Sequence, residues 1–229
     1  MDKVLEIQFS GWTATPRMPF ILSGNAVCLH TPTYSLILGI IGCCLGRLIA
    51  PNEVQIGFHY SFDSVANDLE TRQRLKFNGK KIEKHSKGTD VYSREFHVSP
   101  KLTIWINRLD WEEYFRSPIG TPSLGRSQDI LIIESIKQIQ VKAVKETELS
   151  GAMIPFNTNV MAGGQLVQLA EAYQENTEIG AGRRPTGTGI FLSIPHDSKA
   201  NVKLPNLFIT LGETPKGFYL HNFGNGYFF

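Results

Sequence analysis

Lys84 and His85 stand side by side in a chain whose Tyr60 closes an earlier apolar-polar alternating segment. RNA is cut without a metal when one group removes the proton of a 2′-hydroxyl and another protonates the leaving oxygen, roles that His, Lys and Tyr can fill. The pair lies within "TRQRLKFNGKKIEKHSKGTD" (71–90), where Arg72, Arg74, Lys76, Lys80, Lys81, Lys84 and Lys87 face only Glu83 and Asp90. Lysines are common throughout that run, so the ordinary reading of Lys84-His85 is a phosphate-contacting lysine beside an idle loop histidine. The stretch holds +5 of a chain whose total is +2, leaving −3 on the remainder. A lysine-rich run is a solvated surface in most soluble proteins. The element that carries it decides whether it holds a polyanion.

Glycine and arginine also recur together, in "GTPSLGRS" (120–127) and "GRRPTG" (182–187). Gly-rich turns expose backbone N–H groups to phosphate oxygens, and an adjacent Arg adds a two-pronged charge, although each such turn taken singly is more often an ordinary turn. "GTPSLGRS" has neither a GK[ST] ending nor a strand immediately before it, which excludes a Walker-type nucleotide site. The six histidines show no HxxxH or HxH spacing, the carboxylates do not cluster, and Cys28, Cys43 and Cys44 form no CxxC; neither a metal nor another cofactor is implied. Nucleophilic chemistry has no GxSxG to support it.

The elements that must position these residues can be read from periodicity. With 229 residues, 41% hydrophobic and 19% charged, the chain is long enough for one sizeable core. "VLEIQFS" (4–10) alternates as a half-buried strand. "TPTYSLILGIIGCCLGRLI" predicts a helix capped by Thr33 or Ser35 and stopped at Ala50-Pro51, with Gly39, Cys43 and Gly46 on one stripe that a neighbour approaches closely. "VQIGFHYSF" (54–62) and "KLTIWIN" (101–107) predict strands, "DWEEYFR" (110–116) a short helix with Asp110 as N-cap, and "DILIIESI" (129–136) a more buried strand. The order β-α-β-β-α-β defines an α+β, ferredoxin-like or RRM-like domain over 1–148. The 37 residues at 63–99 exceed what a plain loop needs, and Asn78-Gly79 at their centre predicts a projecting β-hairpin whose surface is cationic. Residues 149–229 predict a smaller, strand-rich C-terminal lobe, with a short helix over 165–176 and apolar runs in "IFLSI" and "NLFITL". "MDKVLEIQFS" lacks a signal-peptide core, and the longest apolar run is too interrupted to span a bilayer, so a reducing cytoplasm and no membrane partner are expected.

"GWTATPRMPF", "HTPTYSLILGIIGCCLG", "REFHVSPKLTIWI" and "GTPSLGRSQDIL", in this order over roughly residues 1–155, resemble the fifth Cas protein family. This is the RAMP-type subunit that caps the crRNA 5′ handle in type I CRISPR Cascade, a prokaryotic antiviral ribonucleoprotein. The resemblance implies an RRM-like fold with a thumb hairpin between the second and third strands, here the basic hairpin. It implies a handle-binding groove lined by Arg17, Tyr34, Ser35 and Arg126, with the thumb cations Arg72, Arg74, Lys76, Lys80, Lys81 and Lys84 on RNA. Implied partners are the crRNA, a backbone subunit and the large subunit, and target DNA near the PAM is a further one the resemblance allows. In one subtype this subunit cuts precursor RNA with Tyr, Lys and His, which Lys84, His85 and Tyr60 would echo. Most relatives leave cutting to another subunit, and a non-catalytic cap is the expectation.

Overall fold

The structure is a computed structural model that describes residues 2–19, 24–156, 160, 162–175 and 182–224. β1 (Lys3–Gly11) buries Leu5, Ile7 and Phe9 on the face their alternation predicts. The short strands β2 (Thr13–Ala14) and β3 (Asn25–Ala26) lead to α1 (Tyr34–Leu45). Thr33 caps this helix, its Oγ1 accepting from Leu36 N at 3.2 Å, and Gly46 ends it in the left-handed region at φ 68°. The small-residue stripe is approached at two of its three positions. Ile119 lies where a side chain at Gly46 would go, and Gly120 N donates to Cys43 O at 3.1 Å, whereas the space beside Gly39 is open.

β4 (Ile56–Ser61), β5 (Ser64–Phe77), β6 (Ile82–Val98) and β7 (Lys101–Ile106) follow, then a 3-10 turn at Leu109–Trp111 and α2 (Glu112–Arg116). Asp110 does not cap α2. Its carboxylate takes the Arg108 guanidinium in a fork at 2.9 and 2.6 Å, a charge-assisted pair that outcompetes a cap. β8 (Leu131–Val144) runs well past the predicted 129–136 and alternates between faces. Leu131 is buried and Ile132 exposed, the pattern of an antiparallel strand with one face on the core.

The C-terminal stretch forms β9 (Thr147–Leu149), β10 (Ala152–Pro155), β11 (Gln165–Glu175), β12 (Arg183–Ile194), β13 (Ala200–Val202), β14 (Leu207–Thr210) and β15 (Gly217–Tyr219). β11 corrects the helix expected over 165–176, of which residue 176 lies outside the described residues. Gln, Leu, Ala and Glu favour a helix locally, but Val167 and Leu169 reach the core by alternation, and β12 supplies an antiparallel partner along the whole strand. "GRRPTG" is correspondingly the start of strand β12 and not a phosphate-cradling turn.

A six-stranded sheet runs β15-β14-β8-β1-β7-β4 with every neighbouring pair antiparallel. Its last four members, β8, β1, β7 and β4, are the strands of the predicted β-α-β-β-α-β series in the order fourth, first, third, second. The core does not stop at residue 148. Met153, Val167, Leu169 and Phe191 share one buried cluster with Leu5, Ile37 and Phe58, and β14 and β15 extend the main sheet beyond β8. β5 and β6 form a long hairpin, tied near its base by β2 and β3, both of which pair with β6. At its tip a four-residue loop joins Phe77 to Ile82, in which Lys80 N and Lys81 N donate to Asn78 Oδ1 at 3.0 and 2.9 Å and Gly79 takes φ 91°, so Asn-Gly closes the expected hairpin by an Asx turn and not by a two-residue turn.

Candidate nucleic-acid interface

α1 begins at a cleft of about 460 Å³ into which four arginines converge from four parts of the chain: Arg17, Arg94 on β6, Arg126 in the turn before β8, and Arg183 at the start of β12. Thr33 and Ser35 line it from the helix end, their hydroxyls 2.9 Å apart. The first turn of α1 carries no acidic side chain. The positive end of the helix dipole is therefore uncompensated and adds to the guanidinium charge.

Arg126 is set by its turn. Gly125 has φ 113°, and a Cβ there would collide with the Thr15 carbonyl, so only glycine lets the turn close on β2. Leu124 N donates to Asp129 O (2.8 Å) and Asp129 N to Arg126 O (3.0 Å). The fully buried Asp129 carboxylate accepts from Thr13 Oγ1 (2.7 Å), Thr15 Oγ1, Arg126 N (3.0 Å), Arg126 Nε (3.1 Å) and Arg126 Nη2 (2.9 Å). Burial alone would raise this carboxyl, but the hydrogen bonds from Arg126, Thr15 and Thr13 outweigh it and hold it below the ordinary carboxylate range. Arg126 Nη1 also reaches Glu70 Oε1 at 3.0 Å, and Arg94 Nε meets the same oxygen at 2.7 Å. The hydrogen bond from Arg94, followed by that from Arg126, keeps Glu70 ionised. Arg126 thus ties the hairpin to the body through three of its five side-chain N–H bonds, leaving two without a partner among the described residues. Arg17 and Arg183 are exposed and make no ion pair among the described residues. Tyr173, 46% exposed, adds an aromatic face to the same cleft.

Arg17, Ser35 and Arg126 therefore meet as the resemblance implies, and Tyr34 does not. It is 2% exposed, its hydroxyl donates to Met153 O at 2.5 Å, and its ring stacks on His221 at 4.1 Å. As the first residue of the helix it points inward, toward the core, while Ser35 turns to the cleft. Arg94, Tyr173 and Asp129 join the site without any local signal, because strand pairing and the closing of a turn bring them there, and Arg183, in the Gly-Arg stretch 182–187, joins it from a strand and not from the turn expected there.

On the hairpin, residues opposite one another in register share a face. One face carries Asp68, Arg94, Glu70, Tyr92, Arg72, Asp90, Arg74, Lys76 and Glu83; the other carries Leu69, Val91, Leu75, Phe77 and Ile82. Arg72 lies over the Tyr92 ring at 4.6 Å, Arg74 Nε holds Asp90 at 2.7 Å, and Lys81 is 3.5 Å from Glu83. Lys76, Lys80 and Lys84 are exposed and make no ion pair among the described residues, and Lys84, opposite Leu75, sits on the apolar face.

The residues of the cleavage alternative are not brought together. Tyr60 is fully buried and its hydroxyl pairs with His97 Nδ1 at 2.8 Å. Lys84 and His85 lie far out, where residues 85–88 bulge from the ladder and His85 Nδ1 accepts from Lys87 N at 3.1 Å. The strand between Thr89 and His97 alone spans about 25 Å. The histidine beside Tyr60 is thus His97, stacked on Phe62 at 3.7 Å. Cys28, Glu95 and His97 place possible metal-ligand atoms within 4.8 Å of one another. Burial, then Glu95 and Asp129, push the Cys28 thiol up to about 12, and its proton points to Glu95 O at 3.2 Å. Cys28 N also donates to Glu95 Oε1 at 2.9 Å, so with the Tyr60–His97 pair these residues form a hydrogen-bonded brace.

No protein-family model matches the sequence, and no curated protein does. Solved structures do. A chain of a CRISPR RNA-guided surveillance complex superimposes with a TM-score of 0.53 at 12% identity, covering 88% of this chain and 91% of that one. A CRISPR protein from Archaeoglobus fulgidus gives 0.49 at 7% identity over 96% and 100% of the two chains. A chain of the type III-B Cmr-beta complex bound to cognate target RNA gives 0.47 at 12% identity over 87% and 86%. The first of these likenesses defines the fold, a strand-rich arrangement also found in a CRISPR effector assembly. Among the described residues no helix is long and apolar enough to cross a membrane.

Proposed function

We propose that this chain is a non-catalytic, RNA-binding subunit of a type I CRISPR Cascade complex, which caps the crRNA 5′ handle and links the backbone filament to the large subunit. The observation that carries the reading is the convergence of Arg17, Arg94, Arg126 and Arg183 on the start of α1 with Tyr173 beside them. Fixed cations hold phosphates, and an aromatic or guanidinium plane holds an unstacked base, which is how single-stranded RNA is usually gripped. The strand order of the central sheet, that of a ferredoxin-like or RRM-like unit, and the shared fold of a surveillance-complex chain support it. Holding is favoured over cutting because Lys84 and His85 lie on a projecting hairpin, away from Tyr60. Rigid elements position catalytic groups better.

Expression with its genomic neighbours, purification of the assembly and sequencing of the RNA that travels with it test this directly. A single defined 5′ end is expected, and a heterogeneous RNA pool would overturn the reading. Incubated with a labelled repeat RNA in EDTA, the protein is expected to leave it intact. A single-site product that disappears in His85→Ala would instead establish the nuclease.

A further inference from the structure

On the far side of Arg126 from the arginine cleft lies a second cavity, of about 530 Å³, walled by Trp12, Phe96, Ile130 and Ile132 and edged by Asp68 and Gln128. The volume falls within the roughly 300–1,000 Å³ of small-molecule sites. Arg126 lines both cavities. We infer that this second cavity receives an unstacked guanine of the same single-stranded RNA whose phosphates the cleft holds; the inference rests on the RNA-binding reading above.

Three features argue for it. The Trp12 ring is 86% exposed, yet its backbone is pinned, with Ser99 N donating to Trp12 O at 2.9 Å and Gly11 N to Pro100 O at 3.0 Å. An exposed indole on a pinned backbone, in a cavity also lined by Phe96 and two isoleucines, offers an apolar surface for a base, and base–aromatic stacking is the commonest way to fill one in RNA recognition. Next, Asp68 shares the hairpin face of Phe96 and Arg94, is exposed, and makes no hydrogen bond or ion pair among the described residues. A carboxylate only accepts, so it repels phosphate and selects a base edge with adjacent donors. Guanine presents N1–H and N2–H side by side. Uracil's single N3–H stands between two carbonyls, and the amino groups of adenine and cytosine each adjoin an acceptor nitrogen. Finally, Arg126 lines both cavities, so a nucleotide whose phosphate meets its guanidinium from the cleft can turn its base toward Trp12.

Trp105 and Trp111 are buried, so quenchable tryptophan emission belongs to Trp12. The full chain is titrated with a five-nucleotide RNA holding one guanine, with the same RNA carrying uracil there, and with the same RNA abasic there. Binding is read independently by anisotropy of a labelled end. The guanine RNA is expected to quench Trp12 and to bind about tenfold more tightly than the uracil RNA, in line with the cost of losing a good base-edge pair, and more tightly still than the abasic RNA, which loses the stacking as well. Trp12→Ala should lower guanine affinity about tenfold and leave abasic binding unchanged. Trp12→Phe should restore the affinity without the quenching, and Asp68→Ala should make guanine and uracil equal. Equal binding of all three RNAs with no quenching would overturn the guanine site while leaving the arginine cleft standing. Absence of binding by all three at low salt would overturn both.

Discussion

The cleft at the start of α1 and the tip of the β5–β6 hairpin are both cationic, and they hold their charge in opposite ways. In the cleft, Arg94 and Arg126 are fixed on Glu70 and Asp129, and Arg126 is largely buried. At the tip, Lys76, Lys80 and Lys84 extend on flexible stems from a two-stranded ribbon. Fixed guanidiniums determine where a phosphate and its base sit, whereas mobile ammonium groups act as point charges that raise affinity without reading geometry. The cleft is therefore built for register and the tip for reach.

The largest effect that would test this contrast is removal of Arg126. Arg126→Ala leaves the Asp129 carboxylate buried without its cation, a loss of about 3–5 kcal/mol for a broken buried pair, and it removes the tie between Glu70 of the hairpin and the body. Arg126→Lys keeps one charge but cannot span Asp129 and Glu70 together, so an intermediate stability is expected in denaturant melts. Equal stability of the two variants would mean that the fork is not what fixes the cleft.

Next in size is the double charge reversal Arg17→Glu with Arg183→Glu. Two charge-assisted hydrogen bonds of about 1.5 kcal/mol each predict roughly a hundredfold loss of RNA affinity. The fold should be unchanged, because both side chains are exposed and unpaired among the described residues. Reversing Lys80, Lys81 and Lys84 together should cost less, about tenfold, and should lower the salt slope by about 0.7 for each phosphate that is no longer neutralised. If the tip variant weakened binding more than the cleft variant, reach and register would have to be exchanged.

These two regions are also unequally legible in sequence. The hairpin announces itself through local signals: a 37-residue interval, Asn78-Gly79 at its centre and a run of cations. Its two faces are hidden, since the apolar side of Leu69, Leu75 and Phe77 emerges only once register is known. For the cleft, resemblance reaches Arg17, Ser35 and Arg126 but misplaces Tyr34, because a motif does not say which of two adjacent helix residues turns inward. Arg94 and Tyr173 have no local mark at all, and Arg183 is marked only as part of a Gly-Arg stretch that turns out to be a strand. β11 reads as a helix for the same physical reason, since its partner β12 lies many residues away and local propensity competes with a pairing that one strand alone does not display.

The smallest expected effect concerns the brace that ties the hairpin base to the sheet. Burial, with His30 and His196 adding to it, lowers His97 to about 4, and burial with Lys216 and His196 lowers His59 to about 4, both from an ordinary 6.5. Between those values the unfolded chain binds more protons than the folded one. The stability from each histidine is therefore complete above pH 6.5 and is lost as the pH falls toward 4. For His97 the loss between pH 7 and 5.5 is about 1 kcal/mol. Its physical content is the Tyr60 hydrogen bond. Burial pushes the Tyr60 phenol well above its ordinary range, so it remains a donor, and a neutral His97 Nδ1 accepts from it at 2.8 Å. Protonation places a second donor there. Denaturant melts of the wild type and of His97→Gln at pH 7 and 5.5 check this. The wild type should lose about 1 kcal/mol more than the variant, whose side chain does not titrate, while the His59 share remains in both. Identical losses would mean that His97 is not the titrating part of the brace.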